Sequence, residues 1–263
     1  MSARAASDDS GVHLTIHSGA GPRSGANLRV LITGAGGGIG YACARAFAER
    51  GAELILSDID GPALEQATTE FGALGRFCDV ASEASVAVFT AEVLKIHASL
   101  DVLINAAGRS YVRNLGTMRI TRAFLPMMKS GGGKKHIVNI ASMSGGARGG
   151  CPFPYAASQE AFESLSDALA ENVRGTGIAL TTVVPAMVPS SAEQDGPAGT
   201  TAVNREGVER YDPEQIATAV VDAVHASETI PGRTKMLSRG ALSREADQYP
   251  LDFCRRPLRK LGH

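Results

Sequence analysis

No apolar run in this 263-residue chain is long enough to span a bilayer, and no signal-peptide hydrophobic region is present. Those two absences make a soluble, cytoplasmic protein the expectation. Charge of one sign is lacking too. Twenty-six Lys and Arg offset 27 Asp and Glu, a formal net charge of −1. That gives no electrostatic footprint for nucleic acid or an anionic membrane. The four cysteines, Cys43, Cys78, Cys151 and Cys254, lie far apart and form no C-x-x-C. They read as reduced thiols, not as a disulfide framework or a zinc site. His13 and His17 stand four apart, but no third ligand is near and Gly11, Gly19 and Gly21 disfavour a helix, so no metal is expected. There is no G-x-S-x-G elbow around Ser142 or Ser144, which argues against a serine hydrolase. No internal repeat is found.

What is present is glycine, placed with purpose. Residues 33–40 read Thr33-Gly34-Ala35-Gly36-Gly37-Gly38-Ile39-Gly40. They follow the apolar run Leu28-Arg29-Val30-Leu31-Ile32 and precede Ile39, Cys43, Ala46 and Phe47 at helical spacing, with Gly51 as a helix stop. The glycines therefore occupy a strand-to-helix turn. There a dinucleotide's pyrophosphate can approach the backbone and meet the N–H groups of a helix N-terminus. No window fits G-x-G-x-x-G; the pattern is T-G-x-x-x-G-x-G. A second apolar run, Glu53-Leu54-Ile55-Leu56-Ser57-Asp58, ends in an acid 20 residues beyond Gly38. Dinucleotide folds place a carboxylate there to accept ribose hydroxyls. An acid repels a 2′-phosphate, and neither Gly36 nor Gly37 is basic, so NAD is favoured over NADP.

With 44% hydrophobic residues, the chain suits one well-buried α/β domain. Residues 1–27, rich in Ser, Ala, Gly and Asp, read as a disordered extension, and 28–263 as a single domain. Beyond Asp58 the pattern predicts helices over 60–70 and 81–99, and strands over 76–80, 101–108, 135–141 and 177–184. A further helix opens at Asp212-Pro213, and 235–238 offers a last strand. Alternating strands and helices indicate a parallel sheet with right-handed crossovers. Residues 191–210 read as a polar lid, and Arg255, Arg256, Arg259 and Lys260 as a solvated basic face.

In this order the motifs resemble those of the short-chain dehydrogenase/reductase family over residues 28–230. The resemblance implies a single doubly wound parallel-sheet Rossmann domain with helices on both faces. It also implies an oxidoreductase that interconverts an alcohol and a carbonyl with a nicotinamide cofactor. Cofactor contacts would come from Thr33, Gly34, Gly38, Ile39 and Gly40 in the loop, and from Asp58. Asp79-Val80 matches the pair that meets the adenine ring, and Asn105-Ala106-Ala107-Gly108 the N-A-G strand end beside the cofactor. Pro185, Val188 and Ser190 match the segment that meets the carboxamide. Ser142 would polarise the substrate carbonyl, and Tyr155, 13 positions later, would act as acid/base. Asn114 would hold a proton-relay water. The form of the C-terminal tail is similar to that of relatives handling apolar alcohols. Family members commonly pair through helices matching 114–130 and 155–174, which implies a homodimer.

Two departures bear on activity. The family pattern after the tyrosine is Y-x-x-x-K; here Gln159 holds the lysine position, and Phe162 that of the longer Y-x6-K variant. Gln159 can bond the nicotinamide ribose but carries no charge. The segment between Asn105 and Asn114 is also short, at nine positions. Nine extended residues reach about 30 Å, enough to deliver Asn114 to its place, but the helix would start late and dimer contacts would weaken. Two readings stay open: an NAD(H)-dependent oxidoreductase impaired by the missing lysine, or a catalytically weak or inactive NAD(H)-binding relative serving as sensor or subunit.

Overall fold

Alternation decides the sheet. In β2 (Arg29–Thr33), Val30 and Ile32 enter one core while Leu31 enters the other. In β5 (Val102–Asn105), Val102 and Ile104 face the first core and Leu103 the second. β6 (Lys135–Ile140) repeats the pattern with Val138 and Ile140 against Ile137. Strands buried on both faces are what a parallel sheet requires. These elements come from a computed structural model that describes residues 13–18, 28–108, 110–141, 153–184, 212–225 and 233–235.

With β3 (Glu53–Asp58), β4 (Leu74–Phe77) and β7 (Ile178–Val184), six strands run parallel in the order β4-β3-β2-β5-β6-β7. The chain winds outward from β2 to one edge, then returns to β5 and winds toward the other. The order reverses between β2 and β5, where open α/β sheets leave a crevice at the carboxyl ends of the strands. Helices α1 (Gly38–Ala48), α2 (Gly61–Phe71) and α6 (Pro213–His225) cover the first face. Helices α3 (Glu83–Ile96), α4 (Ser110–Ser130) and α5 (Phe153–Asn172) cover the second.

Small residues on α1 (Ala42, Cys43 and Ala46) let α6 approach with Ile216, Val220 and Val224, all buried. Each such aliphatic side chain contributes about 1.5–3 kcal/mol. The start of α6 is capped reciprocally. Asp212 Oδ1 accepts from the Glu214 N–H at 3.1 Å, and Gln215 Oε1 accepts from the Asp212 N–H at 3.2 Å. Pro213 stands at the first helical position, where its missing N–H costs nothing.

Three elements differ from the sequence expectation. His13–Ser18, expected within a disordered extension, form β1, antiparallel to β7. β1 also pairs antiparallel with β8 (Arg233–Lys235), bringing the sheet to eight strands among the described residues. The driving force is the open edge of β7, a row of backbone donors and acceptors that another strand satisfies. The rest of 1–27 lies outside the described residues. Second, α4 begins at Ser110, so the segment before Asn114 is helical and no extended link is needed. Third, the strand expected over 76–80 is displaced to Leu74–Phe77, because Asp79 belongs to the turn that starts α3.

Candidate functional site

β2, β3, β5, β6 and β7 all end on one edge, so parallel topology alone gathers the residues that follow them. At the end of β2 the buried Thr33 Oγ1 accepts from the Ala107 N–H at 3.3 Å, tying the glycine turn to the end of β5. Gly34 has φ +74°, and a β-carbon there would lie 2.8 Å from Ala107 N. Gly40 is tighter still, since its β-carbon would sit 2.0 Å from the Gly34 carbonyl oxygen. These two glycines let the chain pack against itself. The Gly34 and Ala35 N–H groups both donate to the Ser57 carbonyl of β3, at 2.8 and 3.1 Å. The Gly36 N–H donates to Asp58 Oδ2 at 2.8 Å. The turn is therefore bound to β3 by three successive amides.

Beyond Gly36 the loop opens. Positions for a β-carbon at Gly37 and Gly38 have nothing within 4 Å. Gly37 is the N-cap of α1, and among the described residues no side chain caps this helix. The first intrahelical bond runs from the Tyr41 N–H to the Gly37 carbonyl, which leaves the Gly38, Ile39 and Gly40 amides without a partner among the described residues, as at every helix start. An uncapped N-terminus facing open space, with its partial positive charge, fits a phosphate-bearing group.

Asp58 stands beside it, half-buried. Its Oδ1 accepts from the Asp60 N–H at 3.0 Å, so both oxygens are oriented by backbone while lone pairs remain for a ligand's hydroxyls. Asp79, half-buried, is held likewise: its Oδ1 accepts from the Ala81 N–H at 2.8 Å, and its N–H donates to Ser85 Oγ at 3.0 Å. Val80 is buried.

Asn105 is buried between β5 and α4. Its Nδ2 donates to Thr121 Oγ1 at 3.1 Å and to Asn139 Oδ1 at 3.0 Å, locking α4 and β6 to the end of β5. Ala106 and Gly108 follow half-buried, and Gly108 has φ 101°. Asn114 is half-buried in the second turn of α4. Tyr155 and Gln159 both fall within α5, one turn apart. Ser142 follows the last described residue after β6. Pro185, Val188 and Ser190 come after β7. These four lie outside the described residues.

Three contributors carry no sequence signature: the Ser57 carbonyl, and Thr121 and Asn139 as partners of Asn105. The nearby thiols are not reactive groups. Burial pushes Cys43, on α1, up to about 12 and Cys78, before Asp79, up to about 11. Among the described residues no cluster of three or more His, Cys, Asp or Glu can hold a metal, and no helix is long and apolar enough to cross a membrane.

Comparison with known proteins agrees with this geometry. A family model described as short chain dehydrogenase matches residues 28–199. The probable oxidoreductase EphD of Mycobacterium tuberculosis is 30% identical over 241 residues; the match covers 76% of this chain, and the chain spans 40% of that relative's length. Dehydrogenase/reductase SDR family member 7B of Danio rerio is 31% identical over 227 residues, covering 74% of this chain and 73% of the relative. A solved short chain dehydrogenase/reductase from Burkholderia phymatum, in complex with NAD, superposes with a TM-score of 0.60 at 27% identity, covering 78% of this chain and 82% of that one. With its strand order, its glycine turn and the family model spanning most of its sheet, the chain belongs to the short-chain dehydrogenase family.

Proposed function

We propose that the protein is an NAD(H)-dependent oxidoreductase that interconverts an alcohol and a carbonyl, with turnover slowed at neutral pH by Gln159. The observation that carries the reading is the uncapped start of α1 beside the Asp58 carboxylate. The amides of Gly38, Ile39 and Gly40 would hold the pyrophosphate, with Thr33 and Gly34 shaping the turn beneath it. Asp58 would accept the adenosine ribose hydroxyls and repel a 2′-phosphate. Asp79 and Val80 would border the adenine, and Asn105, Ala106 and Gly108 would form the floor. Pro185, Val188 and Ser190 would meet the carboxamide, and Tyr155 and Gln159 the second ribose. When bound, the nicotinamide supplies the hydride acceptor or donor. Ser142 would then orient the substrate oxygen, Tyr155 would take or give its proton, and Asn114 would connect that proton to solvent.

The solved relative from Burkholderia phymatum binds NAD, and the curated relatives are named oxidoreductases and dehydrogenases; both support the assignment. The test is a panel of secondary and apolar alcohols with NAD+, followed by absorbance of the reduced cofactor from pH 7 to 10. Turnover that rises with pH supports the reading.

A second reading is favoured by one specific residue. Gln159 can bind ribose yet supplies no charge to Tyr155, as expected of a sensor or subunit that holds NAD(H) without using it. Tight NADH binding with no turnover across the panel at any pH selects that reading.

A further inference from the structure

Gly116 lies buried on α4, on the side that meets the turn between β4 and α3. A β-carbon at this position would come 2.6 Å from Val80 Cγ2 and 2.9 Å from Val80 Cβ. Both are closer than real side chains approach, so an added methyl must displace something. Val80 cannot give way easily. The Asp79 N–H is held by Ser85 Oγ, Asp79 Oδ1 is held by the Ala81 N–H, and the Ser82 N–H donates to the Asp79 carbonyl at 3.0 Å. Val80 is thus the middle of a turn pinned on both sides, and its β-branched side chain is stiff. Helix α4 cannot give way easily either, because Thr121 is bonded to Asn105.

We infer that Gly116 is a positioning residue that sets the adenine end of the cofactor site, by letting α4 seat against Val80 and hold its side chain in place. The inference rests on the cofactor reading above, in which Asp79 and Val80 border the adenine. It adds a specificity element on α4, remote in sequence from the glycine turn. A methyl at 116 would turn Val80 toward the space the adenine needs or push α4 away from it. Helix propensity predicts the reverse outcome, since alanine is the better helix former and should stabilise α4 if space allowed.

The experiment is a double-mutant cycle of Gly116→Ala and Val80→Ala, read by titration with AMP, with nicotinamide mononucleotide and with NADH, and by urea denaturation. Gly116→Ala is expected to weaken AMP and NADH at least tenfold while leaving nicotinamide mononucleotide within twofold. A general loss of structure would weaken all three. Val80→Ala removes the atom of closest approach and leaves only a β-carbon at 2.9 Å, so the double variant should bind AMP more tightly than Gly116→Ala alone and recover part of its urea midpoint. Should Gly116→Ala not fold, the double variant must fold and bind; its failure beside a folded Val80→Ala overturns the proposal. Strictly additive effects, or unchanged AMP binding in Gly116→Ala, also overturn it. Wild-type protein that binds neither NADH nor AMP overturns the cofactor reading itself, a result distinct from wild-type binding with an insensitive Gly116→Ala.

Discussion

At position 159 a neutral amide stands one helical turn after Tyr155 on α5. A lysine about 4 Å from a phenol interacts with it by about 4 kcal/mol at an effective dielectric near 20. That equals about three units on a group that ordinarily titrates near 10. Gln159→Lys is therefore expected to raise the oxidation rate at pH 7 by as much as about a thousandfold and to flatten the rise toward pH 10, with Tyr155→Phe inactive in both backgrounds. A lysine variant that binds NADH normally yet stays as slow as wild type would show that charge at 159 is not what limits turnover. In the proposed reading Asp58 meets the other end of the cofactor. NADH should bind at least about tenfold tighter than NADPH, a gap of ~1.4 kcal/mol, measured by calorimetry. Asp58→Ala should narrow that gap while also loosening the glycine turn, because the Gly36 N–H loses its acceptor. Equal affinities in the wild type would remove the basis for preferring NAD.

Among elements, the turn from β2 to α1 shows most clearly what a sequence can and cannot announce. The glycine run, its preceding strand and the acid ending β3 are all legible, because residue type and period carry them. The division of labour within the run is not. Gly34 and Gly40 serve packing inside the chain, whereas Gly37 and Gly38 front open space; the difference depends on the Ala107 backbone and the Gly34 carbonyl, distant or without side chains. Helix propensity alone would make Gly40→Ala stabilising, but its β-carbon would meet the Gly34 carbonyl, so the substitution should instead lower the urea midpoint by the equivalent of about 1–3 kcal/mol. Gly37→Ala should change stability little and act on cofactor affinity. If the two substitutions proved equally harmless to folding, the packing role of Gly40 would be wrong. β1 was illegible for another reason: Leu14 and Ile16 alternate over too few residues, amid Gly and Ser, to outweigh the composition around them. The Asn105–Thr121–Asn139 cluster was hidden because its members lie far apart in the chain.

For the molecule as a whole, pH and association are the accessible measurements. His136 is buried with its Nε2 2.8 Å from Thr181 Oγ1, and burial, with His225 adding to it, pushes its pKa down to about 3. His97 shifts down as well, burial outweighing Glu53. An unfolded histidine titrates near 6.5, so below that pH the unfolded chain takes up protons that the folded chain refuses. Stability from His136 is fully present above pH 6.5 and is lost as pH falls toward 3, by about 1.4 kcal/mol per unit. Urea midpoints at pH 7.5 and 5 should differ accordingly, and His136→Leu should reduce the dependence. For association, α4 offers Leu115 and Met118, exposed at 39% and 42%. A homodimer that dissociates at low concentration is expected from sedimentation; a tetramer persisting at nanomolar concentration would contradict it.

The strand order also fixes a schedule for the chain as it is made. β1 leaves the ribosome before β7, its partner, which begins 160 positions later (178 − 18). At about 5–20 residues per second the segment waits roughly ten to thirty seconds for an edge to join. By then β2 through β6 can already have closed around their own helices, since each of those pairings excludes β1. β8, joined to the sheet through β1, must wait longer still. The β1 segment is thus made before the strands it joins and is among the last to be placed. A chaperone that shields residues 13–18 during that interval would set the yield of folded protein without touching its final stability.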